Sequence, residues 1–205
     1  MKHLSICILF ISFFSNSFAQ SNFEQAMEKS KQADYKSAIK LFSKAIDEKP
    51  TDAVCYFERG KAYDKLEKSD EALYDYNKAV ELSPTNVQFL NTKGTLEAGL
   101  ADYKDAILTY STIIKLQPSN DEAYLNRAFA KNLSDDKKGA QADMMKAMSL
   151  NSKYAQPEIL NGVDYYLEGN KELACTEWKK VNGVGKAQAD NLLRVFCTDH
   201  SRKKK

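Results

Sequence analysis

Histidine is nearly missing from this chain, and its scarcity removes most catalytic chemistry at once. Only two occur in 205 residues, His3 and His200, each close to an end. A Ser-His or Cys-His nucleophile pair needs a held imidazole, and the body of the chain offers none. Glycine and proline are scarce as well, at eight and four. No glycine-rich loop is set to cradle a phosphate: Gly183 and Gly185 follow a helical stretch and lack the Lys-Ser/Thr pair of a P-loop. An excess of one charge is also lacking, with 30 Lys and Arg against 28 Asp and Glu. That balance argues against nucleic-acid binding, which needs a broad basic field. One apolar run stands near the start, and it is short. Leu4–Phe14 spans 11 residues, where a membrane-crossing helix needs about 20.

That start reads as a leader. Residues 1–19 combine Lys2, the apolar run and Ser17-Phe18-Ala19, with small residues at the −3 and −1 sites of a signal peptidase. The mature chain is then expected to begin at Gln20 and to be exported, to a periplasm or the medium, with no stable membrane insertion after cleavage. An uncleaved anchor is the competing reading. A lipid anchor at Cys7 is set aside, because Cys7 lies inside the apolar run and follows Ile6 rather than a small residue. Cleavage leaves Cys55, Cys175 and Cys197. In an oxidising compartment these read as one pair plus one leftover.

What the chain does have is a regular internal period, about 34 residues long. Small residues recur at Ala38, Ala72, Ala106, Ala140 and Ala174, and again at Ala26, Gly60, Gly94, Ala128 and Gly162. A bulky residue recurs at Phe42, Tyr76, Tyr110, Met144 and Trp178, and proline at Pro50, Pro84 and Pro118. Residues 53–86 show the unit most clearly: two amphipathic helices that meet through small residues and end at Pro84. Such a hairpin cannot bury both apolar faces alone, so it needs neighbours. The pattern resembles the tetratricopeptide repeat (TPR) family, over residues 20–153 and more loosely over 155–182. The resemblance implies an all-α, right-handed solenoid of helical hairpins.

The expected repeats are 20–52, 53–86, 87–120 and 121–154. A fifth TPR-like hairpin with a capping helix follows over 155–198, and then a basic tail at 199–205. Ser21 and Glu24 have capping-box spacing, and Asp52, Asn86 and Asn120 stand as N-caps after the prolines. Lysines alternate with carboxylates along the helices, which reads as solvated surface. The Met144, Met145 and Met148 cluster reads mainly as core filler. The ending, ACTEWKKVNGVGKAQADNLLRVFC, resembles the cysteine-bearing final segment of exported bacterial TPR proteins.

In the family, the first helix of each hairpin lines a concave groove that takes extended peptides. By repeat position the lining here is Phe23, Glu24 and Met27, then Phe57, Glu58 and Lys61, then Asn91, Thr92 and Thr95, then Leu125, Asn126 and Phe129. The resemblance thus implies a protein–protein interaction module with a protein or peptide partner, and no enzyme. The competing readings are a self-assembling structural subunit, and coverage of the apolar lining by neighbouring helices. Chaperone-tail binders of the family carry a carboxylate clamp of Lys, Asn, Lys and Arg. The matching positions hold Phe23 and Met27, or Phe57 and Lys61 followed by Glu122 and Asn126, so the clamp is absent.

Cys175 occupies the repeat position of Ile39, Leu73 and Ile107, which faces the following helix. Reflection through a turn centred on Val184 places its partner near Arg194, and through the family's usual turn, near Ala187, at about Asp199. Cys197 falls in that window, so a Cys175–Cys197 disulfide is expected, with Cys55 free. A zinc site of Cys175, Cys197 and His200 is the weaker alternative, since it lacks a fourth ligand. No cofactor or metal is expected.

Overall fold

The computed structural model describes residues 21–197; the leader, His200 and the basic tail lie outside the described residues. Eleven helices follow one another among the described residues. They are α1 (Asn22–Lys31), α2 (Tyr35–Glu48), α3 (Ala53–Lys65), α4 (Ser69–Leu82), α5 (Val87–Gly99) and α6 (Tyr103–Leu116). Then come α7 (Asp121–Leu133), α8 (Lys137–Leu150), α9 (Pro157–Leu167), α10 (Lys171–Lys180) and α11 (Lys186–Leu192), which runs on as a π-helical turn, Leu193–Cys197. The first four pairs form antiparallel hairpins that stack as a right-handed solenoid; α9 and α10 pair as a fifth, joined to the fourth through the 3-10 turn Ser152–Tyr154 and the C-terminal segment.

The helix boundaries follow from local chemistry. Ser21 Oγ accepts from the Glu24 amide at 3.2 Å, and the Ser21 amide donates to Glu24 Oε2 at 3.0 Å, a closed capping box. Asp52, Asn86 and Asn120 accept from amides of the helices they precede. A proline disfavours helical geometry in the residue before it. Lys49, Ser83 and Gln117 accordingly end α2, α4 and α6 at φ of −139°, −140° and −135°. Asn151 ends α8 at φ −137° although Ser152 replaces the proline.

Within the hairpins the turn repeats its backbone. Ala33, Glu67, Ala101 and Asp135 all have positive φ, between 58° and 68°, and Gly169 follows at 89°. Only the fifth hairpin puts glycine where the left-handed conformation favours it.

The small-against-bulky pattern is the contact between the two helices of each hairpin. A Cβ on Gly60 would lie 2.7 Å from the Tyr76 ring, and one on Gly94 would lie 3.0 Å from Tyr110. At Gly162 it would overlap the indole of Trp178. Ala26 and Ala128 take this place in the first and fourth hairpins, where Phe42 and Met144 are buried. Met148 packs against the same core while Met145 is exposed.

Three carboxylates depart from the solvated-surface expectation. Asp75, Glu97 and Asp143 are buried, each with a cation. The Arg59 guanidinium donates to both Asp75 oxygens at 2.8 Å and to Ser43 Oγ at 3.0 Å, joining α3 to α4 and α2. Two periods on, Arg127 repeats the arrangement with Asp143 and Ser111, and Lys131 adds a second contact to Asp143 at 2.8 Å. In the hairpin between, Lys93 pairs with Glu97 at 3.0 Å and Thr109 donates to Glu97 at 2.8 Å. Burial pushes the Glu97 carboxyl up against the pull of these partners.

Candidate functional site

The first helices of neighbouring hairpins approach one another directly, α1 with α3 and α5 with α7, and so form the inner face. Asn126 Nδ2 donates to Asn91 Oδ1 across that face at 3.2 Å. The lining positions differ sharply in access. Glu24 is exposed and committed to the capping box, while Phe23 and Met27 are half-buried against the first-hairpin core. Lys61 is exposed, bonded to the half-buried Glu58 at 2.8 Å, with its Nζ 5.5 Å from the Phe57 ring centre. Asn91 and Thr92 are half-buried, and Thr95 is exposed.

Thr95 Oγ1 donates to the Asn91 carbonyl at 2.9 Å and lies 3.3 Å from the Tyr110 hydroxyl. Burial raises the Tyr110 phenol well above its ordinary value, so the hydroxyl stays protonated. A cleft of about 200 Å³ opens here, lined by Asn91, Thr92, Thr95, Asp64, Tyr76, Leu96 and Gly99.

Four expected lining residues are not accessible, and neighbouring packing is the reason. Phe57 is 2% exposed, stacked on Phe89 at 4.4 Å and tilted against Tyr76 at 5.6 Å. Leu125, Asn126 and Phe129 on α7 are buried as well. The chain's own C-terminal segment reaches this end of the groove. The Phe196 ring packs edge-on to Phe129 at 5.5 Å, and Leu192 shares the core cluster of Leu125. Arg194 Nη2 donates to Glu122 Oε1 at 2.9 Å, and Arg194 also borders a narrow cleft with Thr95, Tyr110 and Asn126.

In the sequence Arg194 stands on the last helix, opposite Cys175, with no role at the groove. Its one signal is a cation inside the apolar run LLRVFC. Asp64 and Gly99 carry no signal at all.

Cys175 and Cys197 are joined by a disulfide, with Cα atoms 5.9 Å apart. Neither thiol is therefore available to zinc. Cys55 is free and buried, and burial pushes its thiol up to about 11, which leaves it protonated at neutral pH. Among the described residues no group of three His, Cys, Asp or Glu is placed to hold a metal. No helix among them is long and apolar enough to cross a membrane.

Stacked helical hairpins with small-against-bulky contacts and an inner face of first helices define an α-solenoid. Residues 53–86 match the model of the tetratricopeptide repeat family, and the described residues fold as a right-handed solenoid of helical hairpins similar to those of tetratricopeptide repeat structures. No curated protein matches it. Among solved structures it is similar to MamA from Desulfovibrio magneticus RS-1, at 16% identity and TM-score 0.65, over 82% of this chain and 94% of that one. A tetratricopeptide repeat protein from Parabacteroides merdae matches at 19% identity and TM-score 0.66, over 77% of this chain and 63% of that one. YrrB, described as a TPR protein with an unusual peptide-binding site, matches at 18% identity and TM-score 0.60, over 85% and 84%. At such identities the likeness is one of fold.

Proposed function

We propose that this protein is an exported, non-enzymatic interaction scaffold that takes an extended segment of a partner protein along the α3–α5 part of its concave face. The observation that carries this reading is the open run Asn91, Thr92 and Thr95 beside the cleft bordered by Asp64 and Tyr76. Short amide and hydroxyl groups along one helix suit hydrogen bonding to a peptide backbone, with little demand on side-chain sequence. Lys61 and Glu58 at one edge supply both signs of charge. The clamp for a terminal carboxylate is missing, so the partner segment is internal rather than a chaperone tail. The disulfide fits an oxidising compartment, which supports export. The peptide-binding description of YrrB supports the same use of the fold.

A phage-displayed peptide library panned against the oxidised full chain tests the reading. Enriched peptides should bind Thr92→Arg and Thr95→Arg at least about tenfold more weakly, since long cations would fill the cleft. Helicity and melting should be unchanged. Equal binding by these variants would remove the groove from the account.

A further inference from the structure

We propose that the C-terminal segment is a redox-tethered occupant of the groove: the Cys175–Cys197 disulfide holds residues 193–197 against α7, and its reduction by a dithiol frees that face. This inference rests on the concave face being the ligand site and names how access to it is regulated.

The equivalent lining positions show the occupancy most simply. Lys61, Thr95 and Phe129 hold the same repeat position on α3, α5 and α7. Lys61 and Thr95 are exposed, whereas Phe129 is 9% exposed and has Phe196 against its ring. At this repeat position the groove is therefore open on α3 and α5 and filled on α7, and the filling side chain, Phe196, comes from the segment after Gly185. Arg194 fixes the same segment to Glu122 at the start of α7.

The tether sits beside the plug. Cys197 follows Phe196 directly, and its partner Cys175 is on α10. Both cysteines are half-buried, so a small reductant reaches the bond. The other covalent link to α10 is the connection through Gly183 and Gly185, both at positive φ. Once the bridge is open, only side-chain packing and the exposed Arg194–Glu122 ion pair hold a seven-residue helix and one π-helical turn there. Helices that short are not stable on their own.

The chemistry is thiol–disulfide exchange. A thiolate of the dithiol attacks one sulfur of the bridge, the S–S bond breaks, and a mixed disulfide forms. The second thiol of the reductant then displaces the protein sulfur. The reductant leaves as its disulfide, and its two electrons and two protons end on the Cys175 and Cys197 thiols.

Two readouts on the full chain test this, before and after dithiothreitol and with Cys175→Ser and Cys197→Ser. The first is backbone hydrogen exchange. Amides of 186–197, and those of α7, α9 and α10 that Phe196 covers, should exchange at least about tenfold faster once the bridge is gone, with 22–116 unchanged. The second uses a labelled synthetic peptide of residues 186–197 carrying Cys197→Ser. It should bind the reduced chain and both variants at least about tenfold more tightly than the oxidised chain, where the tethered copy competes. Equal exchange and equal peptide binding in the two states would overturn the proposal. Loss of protection over 22–116 would overturn it too, because the bridge would then be a staple for the whole solenoid. Unchanged α7 exchange leaves the Thr92→Arg result intact, while equal peptide capture by Thr92→Arg removes the groove reading whatever α7 does.

Discussion

Replacing Arg59 with methionine is expected to destabilise the protein by about 3 kcal/mol or more at neutral pH. The arginine donates three hydrogen bonds, two to Asp75 and one to Ser43. Asp75 is 0% exposed. Methionine would fill much of the space while leaving a carboxylate buried without its counter-ion, the costly way to break such a pair. Removing both charges avoids that penalty, so Arg59→Met with Asp75→Leu should recover most of the loss.

The pH dependence carries a definite sign. Burial holds the Asp75 carboxyl above its ordinary value, with Arg59 pulling it down. A group raised on folding favours the folded state below its unfolded value, and that contribution is lost as pH rises through its folded value. In Arg59→Met the upward push acts unopposed. The variant's deficit should therefore shrink between about pH 7 and about pH 4, as the buried carboxyl takes up a proton. Melting curves of wild type, single variant and double variant at both pH values check this. A deficit that is the same at both would mean the buried carboxylate is not its source.

The second large effect is at Gly162. A methyl there would overlap the Trp178 indole, which is fully buried and donates from Nε1 to the Ile159 carbonyl at 3.1 Å. The ring also packs against Tyr166 and Phe196, so it has no free direction to move. Overpacking of this kind costs about 1–3 kcal/mol, and a displaced indole would lose a hydrogen bond worth about 1 kcal/mol. Alanine in place of helical glycine returns about 1 kcal/mol. Gly162→Ala should therefore lose about 2 kcal/mol. Gly94→Ala, facing Tyr110 at 3.0 Å and Thr109 at 3.2 Å, should be nearly neutral, because the propensity gain meets a smaller clash. Gly60→Ala should fall between them. Denaturant unfolding of the three variants measures the order, and an order set by sequence position rather than by ring distance would contradict the packing assignment.

These variants separate what the sequence reveals from what it hides. The hairpin contacts were legible because one geometric demand, a small residue under a bulky one, recurs once per repeat at Gly60 and Tyr76, Gly94 and Tyr110, Gly162 and Trp178. The disulfide was legible because antiparallel helices reflect through their turn. The Arg59–Asp75 and Arg127–Asp143 pairs were hidden, since single charged residues among lysines look like surface. Their signal is a second-order one: Ser43, Arg59 and Asp75 return two periods later as Ser111, Arg127 and Asp143. The groove was half legible. Repeat position puts Lys61, Thr92 and Thr95 on the inner face, but nothing in the spacing says that Phe196 folds back onto Phe129 or that Phe89 covers Phe57.

The outer face supplies the natural control for the groove. Tyr74 and Leu108 share one repeat position on α4 and α6, 59% and 66% exposed. A self-assembling subunit would use such side chains, whereas a groove binder would not. Backbone amide shift mapping on the isotope-labelled oxidised chain, titrated with a peptide enriched in the library selection, distinguishes the two directly. Groove binding predicts shifts clustered on α3 and α5 around Lys61, Asn91, Thr92 and Thr95, with the outer positions Tyr74 and Leu108 quiet. Shifts centred on Tyr74 and Leu108, with the inner face unperturbed, would contradict it.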